Sequence, residues 1–135
     1  MTIEERLEKV ERDLAALRLV VGSKAEEICA KHFTLVDKNG KSCAELGIDK
    51  DGPGLFLKDE NGKYRAKLIV TKDGPALILW DENGKHRAGL ALSNNGPGLG
   101  LWDENGKSRA ALAVGNDGPG LILSDEEGMP IWAAP

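Results

Sequence analysis

Aromatic side chains are scarce in this chain of 135 residues, at 4% of the total, while glycine takes 17 positions; an aromatic-rich core is excluded and an aliphatic one is expected. The two cysteines, Cys29 and Cys43, stand 14 residues apart with no second pair and no clustered histidine. That spacing suits neither a disulfide framework nor a zinc site, and both are read as thiols. Acidic and basic residues are interspersed and the formal net charge is −4, so there is no basic stripe to neutralise phosphates and nucleic acid is not an expected partner. No run approaches the ~20 apolar residues of a membrane span. The N-terminus carries Glu4, Glu5 and Glu8 where a signal peptide would be apolar, so a soluble chain is expected, with no compartment assigned.

What is present begins with a heptad seam. Ile3, Leu7, Val10, Leu14, Leu17 and Val21 recur at spacings of 4, 3, 4, 3 and 4, which predicts a helix over 1–22 with a partner along its narrow apolar stripe. With Leu7, Leu14 and Val21 at a, Arg6 and Asp13 occupy g and meet Glu11 and Arg18 at the following e positions of a parallel neighbour. A parallel coiled coil follows, its strand number left open between two, three and four. Gly22 is the expected helix stop, and 23–32 a linker.

From Phe33 to Pro135 the chain repeats itself. "DKNGK" at Asp37, "DENGK" at Asp59, Asp81 and Asp103, and "DEEGM" at Asp125 follow one another every 22 residues. Between them stand "DGP" at Asp51, Asp73 and Asp117 and "NGP" at Asn95, so each repeat holds two turns and two strands. Two-residue type I′ loops are expected at the Asn-Gly and Asp-Gly pairs. They set Leu79 opposite Ala88, Leu77 opposite Leu90, Trp80 opposite Arg87 and, across Asn95-Gly96, Leu92 opposite Leu99. The prolines after the glycines lack an N–H, which leaves hairpin or corner open at the DGP end.

This arithmetic predicts one aliphatic face, including Leu55, Leu57, Leu68, Leu77, Leu79, Leu90, Leu99, Leu101, Leu112, Leu121 and Leu123. The opposite face, expected to be the wet one, carries Lys58, Arg65, Lys67, Arg87, Arg109, Trp80 and Trp102 with several small residues. A meander of about ten strands offers more apolar surface than a soluble monomer exposes, so these leucines and the heptad residues are the expected oligomerisation surface. The fold class is therefore mainly β, a coiled-coil helix followed by an antiparallel meander, assembling as a trimeric β-prism or triple β-helix. A dimeric sandwich and a monomeric solenoid or barrel are the alternatives.

The consensus L-x-L-x-D-x-N-G-K-x-R-A-x-L, followed by D-G-P-x-L-x-L, resembles repeats of uncharacterised bacterial and phage-encoded proteins over Phe33 to Pro135. The layout of coiled coil plus repeats is similar to trimeric viral fibres and spikes. The resemblance implies form, a structural fibre or spike of the kind a virion carries, and its motifs hold no catalytic residues. Departures at Glu127, Met129 and Pro130 mark 125–135 as a terminal cap, with Trp132 where earlier repeats have alanine.

The Asp-x-Asn-Gly turns lack the downstream glutamate of a calcium loop and read as turn chemistry; no nucleotide fingerprint is present. His32 and His86 are the only imidazoles, neither beside a nucleophile, so no enzyme activity, metal or cofactor is expected. Trp80 and Trp102, beside Arg87 and Arg109, are the candidate ligand-binding residues, suited to a sugar ring on a glycan or cell surface. The competing role is packing: Trp80 against Lys67 and Arg87, and Trp102 over Gly89 and near Arg109.

Overall fold

The computed structural model describes residues 1–21 and 29–135, without the side chains of 17–21. The expected stop at Gly22 and most of the linker assigned to 23–32 lie outside the described residues. The chain forms two compact units, Met1–Ala30 and Lys31–Pro135.

In the first unit the helix α1 spans Ile3–Val21. It opens on a capping box. The amide of Glu5 donates to Thr2 Oγ1 at 3.2 Å, and the amide of Thr2 donates to Glu5 Oε2 at 2.6 Å, satisfying two amides that the first turn leaves without partners. Glu4 and Glu5 also oppose the positive end of the helix dipole. The seam residues Ile3, Leu7, Val10 and Leu14 stand exposed, and Leu17 and Val21 lie on the same helix.

The second unit is one antiparallel sheet of ten strands in sequence order. The strands are β1 His32–Val36, β2 Ser42–Asp49, β3 Gly52–Lys58, β4 Tyr64–Thr71, β5 Gly74–Trp80, β6 His86–Ser93, β7 Gly96–Trp102, β8 Ser108–Gly115, β9 Gly118–Ser124 and β10 Pro130–Ala134. The outer strands β1 and β10 do not pair with each other, so the sheet is an open meander rather than a closed barrel.

Two turn types alternate. At the DENGK end the amide of Gly84 donates to the Asp81 carbonyl at 3.0 Å, and the amide of Asp81 donates to the Lys85 carbonyl at 2.9 Å. This is a three-residue loop, a type I turn closed by Gly84 at φ 78°, and not the expected type I′ turn. Asp81 selects it: its Oδ1 accepts the amides of Asn83 at 3.0 Å and Lys85 at 2.9 Å. The longer loop is absorbed by a bulge between Leu79 and Trp80, so Leu79 still faces Ala88 and Leu77 faces Leu90, while Trp80 faces His86 rather than Arg87. The same turn recurs at Asp37, Asp59, Asp103 and, despite its altered sequence, Asp125.

The DGP turns are hairpins, but their loops lie one residue earlier than expected. Thr71 pairs with Gly74 and Ser93 with Gly96, so Leu92 faces Pro97 and Leu90 faces Leu99. The register thus moves by two residues from the sequence-based pairing, which keeps every side chain on its face. Each proline takes the position beside the closing pair, where its partner strand asks for no N–H: Val70 with Pro75, Leu92 with Pro97. Glycine is needed for two reasons. Gly74 has φ 127°, and a Cβ there would stand 1.8 Å from the carbonyl oxygen of Leu92 on the next hairpin.

Candidate functional site: an uncovered leucine face

The pairings set apolar side chains in rows across the strands. One row runs Phe33, Leu46, Leu55, Leu68, Leu77, Leu90, Leu99, Leu112 and Leu121, each facing the next. Beside it, toward the DENGK turns, leucine and alanine alternate: Leu57, Ala66, Leu79, Ala88, Leu101, Ala110, Leu123. Trp132 continues this row where the alternation would place alanine, opposite Leu123.

These leucines remain in contact with solvent in a single chain. From Leu55 to Leu112 the continuous row is 38–52% exposed, and Leu57, Leu79, Leu101 and Leu123 are 39–43% exposed. Leu121 is half-buried. The face presents on the order of 1,000 Å² of apolar surface, above the few hundred Å² that a monomer usually leaves in one patch.

The opposite face departs from its expected character as a wet surface. It holds Phe56 (5% exposed) and Ile69 (2%), the buried hydrophobic side chains among the described residues. Phe56 folds back over Gly54, where a Cβ would lie 3.0 Å from its ring, and Lys67 Nζ sits 5.0 Å from the ring centroid while pairing with Asp49 at 3.1 Å. The signal was in the sequence: β3 and β4 read Leu-Phe-Leu and Leu-Ile-Val, apolar at both parities.

Trp80 and Trp102 lie on this face, half-buried, with His86 between them. The His86 ring stacks on Trp102 at 4.2 Å between centroids and lies 6.4 Å from Trp80. Trp102 lies flat on glycine: a Cβ on Gly100 would stand 2.3 Å from its Cη2, and one on Gly89 would be 3.6 Å from its Cζ3. The expected cover of Gly89 by Trp102 is thus present. The expected contact of Trp80 with Lys67 is replaced by that of Lys67 with Phe56.

The arginine ladder joins hairpins together. Arg65 Nε donates to the Trp80 carbonyl at 3.1 Å, Arg87 Nε to the Trp102 carbonyl at 2.9 Å, and Arg109 Nε to the Ser124 carbonyl at 3.0 Å. The same guanidinium groups reach back to their own turns, Arg87 to Asp81 at 3.2 Å and Arg109 to Asp103 at 3.4 Å. Each aspartate therefore has one oxygen on two backbone amides and the other on an arginine, which leaves little of it for a cation. These contacts hold the Asp81 and Asp103 carboxyls below their ordinary pKa of 3.8, led by the amides of Lys85 and Lys107, against partial desolvation. Among the described residues no cluster of acidic, histidine or cysteine side chains is arranged to hold a metal ion, and no helix is long and apolar enough to cross a membrane.

A shallow hollow of about 400 Å³ lies on the tryptophan face, floored by Gly89, Gly98 and Gly100 and walled by Ile78, His86 and Trp102. It adjoins Trp102, but the Arg87 and Arg109 side chains do not line it. No protein family model matches the chain, and no curated protein matches it in sequence.

Proposed function

We propose that this chain is a non-enzymatic structural protein that self-assembles through its leucine face into a homotrimeric fibre, spike or shaft, with α1 as a parallel coiled coil that sets the chains level. The uncovered leucine rows carry this reading. Burying ~1,000 Å² of apolar surface per chain at about 25 cal/mol per Å² corresponds to tens of kcal/mol before ordering costs, and ~800 Å² per partner is typical of a stable interface. Three sheets around an axis cover all three leucine faces, whereas the described residues of one β unit fold nothing over their own. The similarity of layout to viral fibres and spikes supports a place on a virion. Light scattering of the full chain tests the reading: a molar mass near three chains is expected, and a mass near that of one chain would overturn it.

A second reading, binding of a carbohydrate or a cell surface through Trp80, Trp102, Arg87 and Arg109, draws on the hollow beside Trp102. An apolar floor with an aromatic wall suits the C–H face of a sugar. The guanidinium groups, however, are engaged with carbonyls and aspartates, so the site has few donors to orient a glycan. Loss of glycan-array binding in Trp80→Ala and Trp102→Ala, with assembly intact, is the result this reading requires.

A further inference from the structure

The leucine face is graded in size along each of the strands β2 to β9, and the grade reverses from one strand to the next. On β2, β4, β6 and β8 it reads Ala-x-Leu-x-(Ile/Val/Leu), small toward the DENGK turns and large toward the DGP turns. On β3, β5, β7 and β9 it reads Pro-x-Leu-x-Leu, with short proline at the DGP end and leucine at the DENGK end. The small positions leave hollows in the face. One of about 290 Å³ lies over Ala44 among Phe33, Leu35, Leu46 and Leu55; another of about 290 Å³ lies between Pro75 and Pro97.

From this grading, and resting on the self-assembly proposed above, we infer that neighbouring copies pack parallel and level. The DENGK end of each strand then lies against the DGP end of the same strand in the next copy. A two-fold or three-fold axis along the direction in which the strands stack carries each strand to its own height and sets its two ends together across the interface. Sizes then match at each level from β2 to β9. Ala88 of one copy receives Leu92 of the next, and one strand away Leu79 enters the hollow at Pro75. Interfaces of this kind need close-packed, interdigitating side chains, and a level with two large residues or two small ones would carry strain or a void. An antiparallel pair, with Ala88 facing Leu79 of the other copy, matches sizes equally well; the charges of α1, with Arg6 facing Glu11 and Asp13 facing Arg18 only between parallel helices, select against it.

The chain carrying Cys29→Ser and Cys43→Ser, with Ala88→Cys and Leu92→Cys added singly and together, tests the arrangement under mild oxidation. The two new cysteines are four residues apart on one strand, ~13 Å, beyond the ~7 Å that a disulfide bridges, so a bond between them joins two chains. The double variant is expected to form a covalent species with as many chains as light scattering counts, and each single variant to stay uncrosslinked. An uncrosslinked double variant in a protein that still has an oligomer's mass, or a crosslinked Ala88→Cys single variant, overturns the level arrangement alone. A background protein with the mass of one chain overturns the assembly itself. A size exchange provides a second readout if oxidation disturbs the fold: Ala88→Leu and Leu92→Ala should each raise the dissociation concentration about tenfold or more, and their combination should restore it to within about threefold. A combination no better than the worse single variant counts against the pairing.

Discussion

Arg87 and Trp102 belong to different repeats, and the 2.9 Å hydrogen bond from Arg87 Nε to the Trp102 carbonyl ties one hairpin to the next at the end where the strands part toward their turns. The same guanidinium holds Asp81 at 3.2 Å, so one side chain spans two turns. Lysine lacks the planar fork that makes both contacts. Arg87→Lys is expected to destabilise the protein by about 1 kcal/mol, discounted for partial exposure, with the urea midpoint as the measurement.

Gly74 and Gly118 separate two costs of replacing a turn glycine. Both have positive φ, at 127° and 111°, but a Cβ on Gly74 meets the Leu92 carbonyl at 1.8 Å while one on Gly118 meets nothing within 4 Å. Gly118→Ala should cost about 1–2 kcal/mol through backbone strain, and Gly74→Ala at least ~2 kcal/mol more, since the next hairpin must move. Thermal denaturation of the two variants checks the difference.

Acid should loosen the DENGK turns. The Asp81 and Asp103 carboxyls are depressed in the folded chain, so protonation favours the unfolded one; their stabilisation is present above the ordinary value of 3.8 and is lost as pH falls through the lower folded values. Stability is expected to be flat with respect to these groups above about pH 5 and to fall below about pH 4. Asp81→Asn with Asp103→Asn should flatten that fall in urea titrations at each pH.

Trp102 keeps its place because Gly100 has no side chain. Gly100→Ala puts a methyl 2.3 Å from the ring, so the indole must lift from the sheet and leave His86. A red-shifted tryptophan emission is the expected signature, with Gly98→Ala, whose Cβ meets no atom closer than 3.8 Å, as the comparison that leaves the spectrum unchanged.

Leu7→Asp with Leu14→Asp separates the two proposed assembly surfaces. If the coiled coil sets the chains level, the double variant loses oligomer mass or broadens into mixed species on light scattering. Unchanged mass would assign assembly to the β-repeats alone.

The period, the ten strands and the membership of each face were legible in the sequence because side chains alternate across a strand, and a register change of two residues leaves that alternation intact. Leu90 was therefore placed on the correct face although Leu92 was paired with Leu99 rather than Pro97. The capping box at Thr2 and Glu5 was also readable, as Thr-x-x-Glu before an apolar run. Tertiary structure decided the rest. Asp81 chose a three-residue loop, a bulge at Trp80 restored the register, and Gly74 proved necessary because a carbonyl from the following hairpin occupies the space where its side chain would stand. Phe56 and Ile69 became the buried pair on the face expected to be wet, since burial depends on which neighbours fold over a residue and not on its parity alone.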